Sequence, residues 1–474
     1  MSERQDVKAV HIVGIGGAGM SAIARVLHGR GVCVQGSDRR VSPITEALQA
    51  EGIPVFIGHA AENVGIPDLV LASSAVPDDN EELQAARAKG VPVLRRPEFL
   101  PWLTAGYDVI AVAGAHGKTT VTGMIAKVLV EAGADPSFIV GGVMKDLGTN
   151  GRAGRSRLFV FEADEYRETF LALEPTIAVV TNVEFDHPDC FADMDAVRRA
   201  FERFVSGIRK GGALIACGDD PEAAAIAEHR SEVGGEVILY GLNESAAYAW
   251  RATEVRPNAQ GGVNLIVWHQ GDLVGQLALR IPGRHNASNA LAALAVGQML
   301  GIESGVAFRA LESFSGTGRR FEVLGERAGV TVIDDYAHHP TQIRGVLRAA
   351  RGRYGKRRLV AVWEPHTFSR VRALYGAFMG AFDAADQVVI LPIYAAREVD
   401  DGTLTAEMLA RDLRHRAVWA APTLDDAVER LQAMAQPGDV ILLMGAGDEY
   451  RVGRRLLAQL EEANQAGREH EIVS

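Results

Sequence analysis

Three α/β domains built on mainly parallel sheets are predicted for this chain of 474 residues. Three observations predict them. Short β-branched and alanine runs, the composition of buried parallel strands, alternate with apolar-periodic helical stretches. Glycine-rich turns stand directly between strand and helix at Gly14–Gly19 and Gly114–Gly117. After residue 316, polar clusters fall at the ends of successive strands, where open α/β sheets gather their ligands. The length agrees with this count, and the expected spans are 1–104, 105–315 and 316–474.

Composition narrows the class. The chain is 47% hydrophobic and 23% charged, ordinary for a soluble globular enzyme. A formal charge of −11 argues against a nucleic-acid or anionic-membrane surface. Cys33, Cys190 and Cys217 are scattered, with no C-x-x-C, so neither a disulfide framework nor a structural zinc site is suggested. The start M-S-E-R-Q-D-V has no apolar core of a leader, and no apolar run approaches membrane-spanning length. The expectation is a cytoplasmic protein, monomer or homodimer, that neither inserts into membranes nor binds nucleic acid.

In the first stretch, Ala9–Val13 reads as a strand, then G-I-G-G-A-G-M-S, then a helix through Ala22, Ile23, Val26 and Leu27. Gly14, Gly16 and Gly19 satisfy G-x-G-x-x-G, and a strand from Cys33 runs toward Asp38, about twenty residues on. Further strands near Val55–Ile57, Leu69–Ser73 and Val91–Leu94 complete a short Rossmann-like unit. Its brevity, and a second nucleotide loop downstream, argue against NAD. The reading is a holder for a nucleotide diphosphate at Gly16, Gly17, Ala18, Gly19 and Met20, with Asp38, Ser73 and Ser74 as further substrate candidates. The alternative is a structural turn without a ligand.

The second stretch opens on D-V-I-A-V-A-G-A-H-G-K-T-T, Asp108–Thr120, followed by an apolar-periodic helix. Strand, glycine turn, Lys-Thr and helix form a phosphate cradle. Backbone N–H groups close on the phosphates, the helix N-terminus adds positive charge, and lysine and threonine reach the terminal phosphates and Mg²⁺. A P-loop ATPase domain follows, with Gly114, Ala115, His116, Gly117, Lys118, Thr119 and Thr120 at the nucleotide. The loop is the shorter G-x-x-G-K-T, because Val112 stands where the longer pattern has glycine. Strand Leu158–Phe161 runs into E-A-D-E, and acidic residues at a strand end beside a phosphate loop suit Mg²⁺, here Glu162 with Thr119. Ile177–Thr181 leads to N-V-E-F-D-H, whose His187 is either a metal ligand or a capped loop residue. A polar connection is expected at Gly148–Ser156. Asn286 and Asn289 share a helix face and either read an adenine edge or cap the helix.

The third stretch opens on S-G-T-G-R-R-F-E, where Gly316 and Gly318 suit a hinge and Arg319 and Arg320 suit phosphate or carboxylate. Strand Val330–Ile333 runs into D-D-Y-A-H-H-P and strand Leu359–Trp363 into E-P-H-T-F-S-R. Strands Val388–Leu391, Ala417–Ala420 and Val440–Met444 alternate with helices, giving a second Rossmann-like sheet. The tail from Glu461 is polar and reads as frayed.

Taken in order, G-I-G-G-A-G-M-S, H-G-K-T-T, E-A-D-E, T-N-V-E-x-D-H, P-G-R-H-N-x-x-N, G-T-G-R-R-F-E, D-D-Y-x-H-H-P, P-H-x-x-S-R and G-A-G-D resemble the motif series of the Mur ligases, the ATP-dependent amide-forming enzymes of peptidoglycan precursor synthesis. The resemblance runs from about residue 9 to about residue 455. It is nearest to the branch that joins L-alanine to UDP-N-acetylmuramate. It implies that Lys118 holds the ATP phosphates, that Thr119, Glu162 and His187 ligate Mg²⁺, and that Asn286 and Asn289 sit at the adenine. Arg320 and Asp335 match two further family positions, and Tyr336, His339, His366 and Arg370 are implied around the amino acid. Arg370 is the candidate clamp for its carboxylate, and His339 or Asp335 the candidate partner of its ammonium.

Several positions depart from that pattern. Ala115 stands where Thr is common, and Y-R-E follows Glu165 where S-D is common. E-F-D-H and W-E-P are similar instead to the related ligase that attaches a murein tripeptide, which is the alternative donor. Pro188–Arg209 contains no lysine, so the carbamylated lysine of other Mur ligases is not expected. An NAD-dependent oxidoreductase would leave H-G-K-T-T idle. A non-catalytic nucleotide-gated binder would tolerate loss of Lys118, Glu162 or His187, and all three are present.

Overall fold

The computed structural model describes residues 7–473. The expected leaderless start falls mostly at residues 1–6, outside the described residues. The first sheet contains β1 (Ala9–Val13), β2 (Cys33–Asp38), β3 (Val55–Ile57), β4 (Leu69–Ala72) and β5 (Val93–Arg95). Its order is β3-β2-β1-β4-β5, and every pair is parallel. The order reverses between β1 and β4, so the Gly14–Gly19 turn leaves β1 at the crevice where such sheets bind ligands. Gly14 has φ 80°, and its N–H and that of Ile15 both donate to Ser37 O, at 2.8 and 3.0 Å.

The central sheet contains β6 (Asp108–Ala113), β7 (Ser137–Met144), β8 (Thr149–Arg152), β9 (Leu158–Glu162), β10 (Ile177–Val180), β11 (Ala213–Cys217), β12 (Glu236–Gly241), β13 (Trp250–Pro257), β14 (Val263–His269) and β15 (Asp272–Leu279). Its order is β15-β14-β13-β12-β11-β10-β6-β9-β7-β8. From β7 to β13 the neighbours are parallel, while β8, β14 and β15 add antiparallel pairs at the two edges, so the sheet is mixed. Strands β10 and β11 are buried throughout, as their unbroken apolar runs require. Helix Lys118–Glu131 is buried from Thr119 to Leu129, against helix Arg284–Met299 and the sheet.

The connection expected at Gly148–Ser156 contains strand β8. It fastens the first sheet's helix Ala18–Gly29 to the central sheet. Arg25 Nη1 donates to Asn150 Oδ1 at 2.5 Å, and Asn150 Nδ2 donates to Ala18 O at 2.8 Å. A Cβ on Gly151 would collide with the backbone of Ala22, so only glycine lets the helix lie that close.

The third sheet contains β16 (Glu322–Arg327), β17 (Val330–Asp335), β18 (Leu359–Trp363), β19 (Gln387–Ile390), β20 (Val418–Ala420) and β21 (Val440–Met444), in the order β16-β17-β21-β18-β19-β20. Only β16 is antiparallel. The glycine junction is sewn to the end of β7. Lys145 N donates to Gly316 O at 3.1 Å and Gly318 N to Val143 O at 2.8 Å. Gly316 turns with φ 92°. The tail expected to fray from Glu461 continues the helix Glu449–Val473, whose apolar face from Val452 to Leu460 packs on β17 and β21. Ser474 lies outside the described residues. Among the described residues no helix is long and apolar enough to cross a membrane.

Candidate active site

Strand β6 carries a buried apolar run into the glycine turn, and helix Lys118–Glu131 starts at the lysine itself. Gly114 and Gly117 have φ 142° and 84°. A Cβ on Gly117 would stand 2.9 Å from Asn289 Oδ1, so the loop cannot carry a side chain there. The loop is pinned from beneath by β10. His116 N donates to Asn182 Oδ1 at 2.8 Å, and His116 O accepts from Thr181 Oγ1 at 2.6 Å and Asn182 Nδ2 at 3.0 Å.

Lys118 Nζ donates to Gly114 O at 2.6 Å and to both Glu165 oxygens at 2.7 and 2.9 Å. Burial pulls its pKa down, but Glu165, Asp164 and Glu162 outweigh that and hold it above the ordinary value. The ammonium is fully charged and waits at the mouth of the loop. Beside it, Thr119 Oγ1 donates to Glu162 Oε1 at 2.9 Å, and Gly141 N on β7 donates to the other Glu162 oxygen. Burial pushes the Glu162 carboxyl up. Arg320 Nη2, from the junction just before β16, lies 3.4 Å from Thr119 Oγ1. The threonine hydroxyl and the glutamate carboxylate form a hard oxygen set that fits Mg²⁺.

The loop after β10 carries the second group. Asp186 accepts from Arg370 Nε at 2.6 Å, and both residues are almost wholly buried, at 4% and 3% exposure. Burial raises the Asp186 pKa, yet Arg370, His187 and His338 hold it well below the usual carboxylate range. Arg370 also reaches His366 Nδ1 at 2.8 Å and His187 Nδ1 at 3.3 Å. All three guanidinium nitrogens therefore have partners, and a bidentate grip on a free carboxylate requires releasing one. His187 has φ 55°, and its Nε2 lies 3.9 Å from Glu165 Oε1. A divalent ion between those two atoms has the right separation, with the nitrogen the softer of its ligands.

The candidates on the third sheet are held firmly. Asp335 accepts from Phe321 N and Ala337 N, both at 2.8 Å, and burial pushes its pKa up. His339 accepts at Nδ1 from Thr341 N at 3.3 Å and donates from Nε2 to Phe185 O at 3.3 Å. Burial, with His116 adding to it, lowers its pKa to about 4. The Tyr336 ring lies under the guanidinium carbons of Arg319 and Arg320, 4.9 and 5.2 Å from its centre.

In the first sheet, Asp38 Oδ2 accepts from Gly16 N at 2.9 Å, and Met20 is buried. Ser73 Oγ accepts from Ala75 N at 3.3 Å. A cleft of about 350 Å³ runs from this sheet to the central one, lined by Ser74, Arg95, Arg96, Asp164, Tyr166 and Arg167.

Comparison with known proteins fits this arrangement. The description "Mur ligase family, catalytic domain" matches residues 9–108, "Mur ligase middle domain" residues 112–297 and "Mur ligase, glutamate ligase domain" residues 319–447. The chain belongs to the Mur ligase family. A UDP-N-acetylmuramate–L-alanine ligase of Roseiflexus sp. (strain RS-1) is 43% identical over 471 residues, spanning 96% of this chain and 99% of its own. The crystal structure of UDP-N-acetylmuramate-alanine ligase from Thermotoga maritima superimposes with TM-score 0.80 at 29% identity, over 96% of this chain and 99% of that one. A murein peptide ligase from Psychrobacter arcticus 273-4 gives TM-score 0.74 at 27% identity, over 96% and 99%.

Within this Mur ligase, the structure brings His116, Lys118, Thr119, Glu162, His187 and Arg320 together around the loop, with Asp335, Tyr336, His339, His366 and Arg370 on the third-domain side. Asn286 and Asn289 lie behind the loop. Asn286 Nδ2 donates to Pro282 O at 2.6 Å and Asn289 Nδ2 to Asn286 Oδ1 at 3.0 Å. Four residues of the site escape sequence reasoning. Glu165 and Asp186 were visible only as members of acidic clusters, and nothing local marks them as partners of Lys118 and Arg370. Arg96, whose Nη1 would stand 3.0 Å from a Cβ on Gly19, is brought to the glycine loop by β5. Gln342 carries one signal, its place three residues after His339 in the first helical turn, as in a capping box.

Proposed function

We propose that this Mur ligase joins L-alanine to the lactyl carboxylate of UDP-N-acetylmuramate, using ATP, in peptidoglycan precursor synthesis. The observation that carries the reading is Arg320, in the junction just before β16, lying on Thr119 of the phosphate loop. Nucleotide loop and third sheet share one crevice, as group transfer between two substrates needs. The full-length likeness to a UDP-N-acetylmuramate–L-alanine ligase supports the substrates. In this reading residues 1–104 hold the UDP moiety, 105–315 the ATP, and 316–474 the amino acid.

A carboxylate is a poor electrophile, so its oxygen first attacks the γ-phosphorus of ATP and ADP leaves. Lys118 and Arg320 lie where negative charge grows on the transferred phosphoryl oxygens. Thr119 and Glu162 would hold Mg²⁺, with His187 and Glu165 beside a second ion; bound there, the metal neutralises phosphate charge. The alanine amine, having lost one proton, attacks the acyl carbon, the oxyanion collapses, and inorganic phosphate departs. Asp335, whose oxygens each keep a lone pair beyond one backbone N–H bond, can take that proton, whereas both ring nitrogens of His339 are already bonded and it orients the far wall. Arg370 sets the directions of His187 and His366 and faces the α-carboxylate. Closure of the third sheet over the loop keeps water from the acyl phosphate.

The test is phosphate release from ATP with UDP-N-acetylmuramate and Mg²⁺, run with L-alanine, with L-alanyl-γ-D-glutamyl-diaminopimelate, and with neither. Turnover with alanine is the expected result. Turnover with the tripeptide alone would reassign the donor, and turnover independent of the UDP-sugar would overturn the reading of the first sheet.

A further inference from the structure

We infer that Gln342 is a positioning residue for the phosphate loop: it fixes which ring nitrogen of His116 carries the proton, and so ties the loop to the docked third sheet. The inference deepens the reading of Gly114–Thr120 as the ATP loop and rests on it.

Helix Pro340–Tyr354 begins at a cap formed by His339. Gln342 occupies its first turn, and its Oε1 accepts from His338 N at 3.0 Å and from His339 N at 3.2 Å. Backbone N–H groups can only donate, so the amide orientation is fixed and the NH₂ must face away from them. It faces His116 Nδ1 at 2.8 Å. Nδ1 must therefore accept, which leaves the ring proton on Nε2. From there it donates to Glu184 Oε2 at 2.7 Å. Glu184 in turn accepts from Thr341 Oγ1 at 2.6 Å, again from the third sheet's helix.

His116, Glu184 and His339 also offer donor atoms that lie within 4.8 Å of one another, the set of a divalent metal site. Gln342 argues against that use. A proton on Nε2 removes the lone pair a metal would need, and His339 Nδ1 already accepts from Thr341 N. The cluster is a hydrogen-bonded latch. Its own-domain anchors, Thr181 and Asn182, hold the His116 backbone. Its third-sheet anchors hold the side chain. Undocking the third sheet frees the ring and leaves the loop fixed by its backbone alone.

The test uses the full chain with ¹⁵N-labelled histidine, His116 being assigned by loss of its signals in His116→Gln. The neutral wild-type ring is expected to carry its proton on Nε2. Gln342→Glu keeps both cap acceptors, so the helix start survives, but turns a carboxylate toward Nδ1. Among the groups facing the ring, Glu184 favours a second proton while His339 and His285 oppose it. The variant should raise the ring pKa by about one unit or more. Gln342→Met should mix the two tautomers and weaken ATP binding, read by calorimetry, roughly tenfold, with kcat changed less than KM. A wild-type ring protonated on Nδ1, or a ring unmoved by both variants, overturns the inference. The imidazole signals do not depend on which amino acid or sugar is ligated, so failure of the functional reading would leave this result standing.

Discussion

Replacing Arg370 with methionine removes one half of a buried pair that joins the third sheet to the central one. Its Nε is 2.6 Å from Asp186, and neither side chain reaches solvent. Methionine keeps most of the apolar stem, so the loss is electrostatic rather than a cavity. An orphaned buried carboxylate of this kind costs about 3–5 kcal/mol. For a unit the size of the third domain that corresponds to a fall of roughly 6–20 °C in the calorimetric transition. Asp186→Asn alone strands the guanidinium and should cost a similar amount. The double variant strands no buried charge, so it should recover at least about 2 kcal/mol relative to the sum of the singles. The pH dependence has a definite sign. In the wild type the Asp186 pKa is depressed, so its contribution is present above about pH 4 and is lost only as pH falls through the low folded value. In Arg370→Met the largest opposing charge is gone, and burial raises the pKa against what His187 and His338 still supply. The variant should then gain stability relative to wild type as pH is lowered from 7 to 5. Additive single effects, or a shift under 2 °C, would refute the reasoning.

Four further outcomes follow from named contacts. Lys118→Ala should abolish phosphate release while UDP-sugar binding, measured by calorimetry, survives; loss of both would contradict the separation of the two sites. Gly141→Ala would place a Cβ 2.5–2.8 Å from the Glu162 carboxylate, so the Mg²⁺ concentration for half-maximal turnover should rise roughly tenfold with little change in melting temperature. Asn150→Leu leaves Arg25 Nη1 and Ala18 O without their partner and should cost about 2–4 kcal/mol, seen as faster amide exchange in helix Ala18–Gly29. Glu82 is buried, but hydrogen bonds from His11, Ser37 and Asn63 overcome that burial and bring its pKa to about 2. That carboxylate stabilises the first sheet above pH 4.5 and ceases to do so as pH falls toward 2, so Glu82→Gln should flatten acid unfolding of this sheet followed by circular dichroism.

The strands that end in chemistry were readable because each is a buried apolar run cut off by glycine or acid. β6, β9, β17, β18 and β21 have this form, while β10 is cut off by Thr181 and Asn182. Two edge strands were not. β8 is T-N-G-R and β16 is E-V-L-G-E-R, polar segments whose extended form comes from the neighbour they pair with. The site divides in the same way. Lys118, Thr119 and Glu162 announce themselves because phosphate chemistry needs those types beside a glycine turn. Asp186 and Arg370 stand 184 residues apart, and no local pattern couples them. The expected roles of Arg370, Asp335 and His339 were drawn from residue type. The structure shows how much of each side chain is already committed to bonds within the protein.

The seam between the glycine junction and the end of β7 also bears on the order in which the chain is made. Val143 and Lys145 are in place, and the central sheet is complete through β15, before residues 316–318 exist to pair with them. As those residues emerge from the ribosome they meet a finished edge. The third domain is thus tethered, before it folds, beside the strand whose Gly141 N–H holds Glu162. Synthesis brings the last domain alongside Glu162 before that domain has a core of its own.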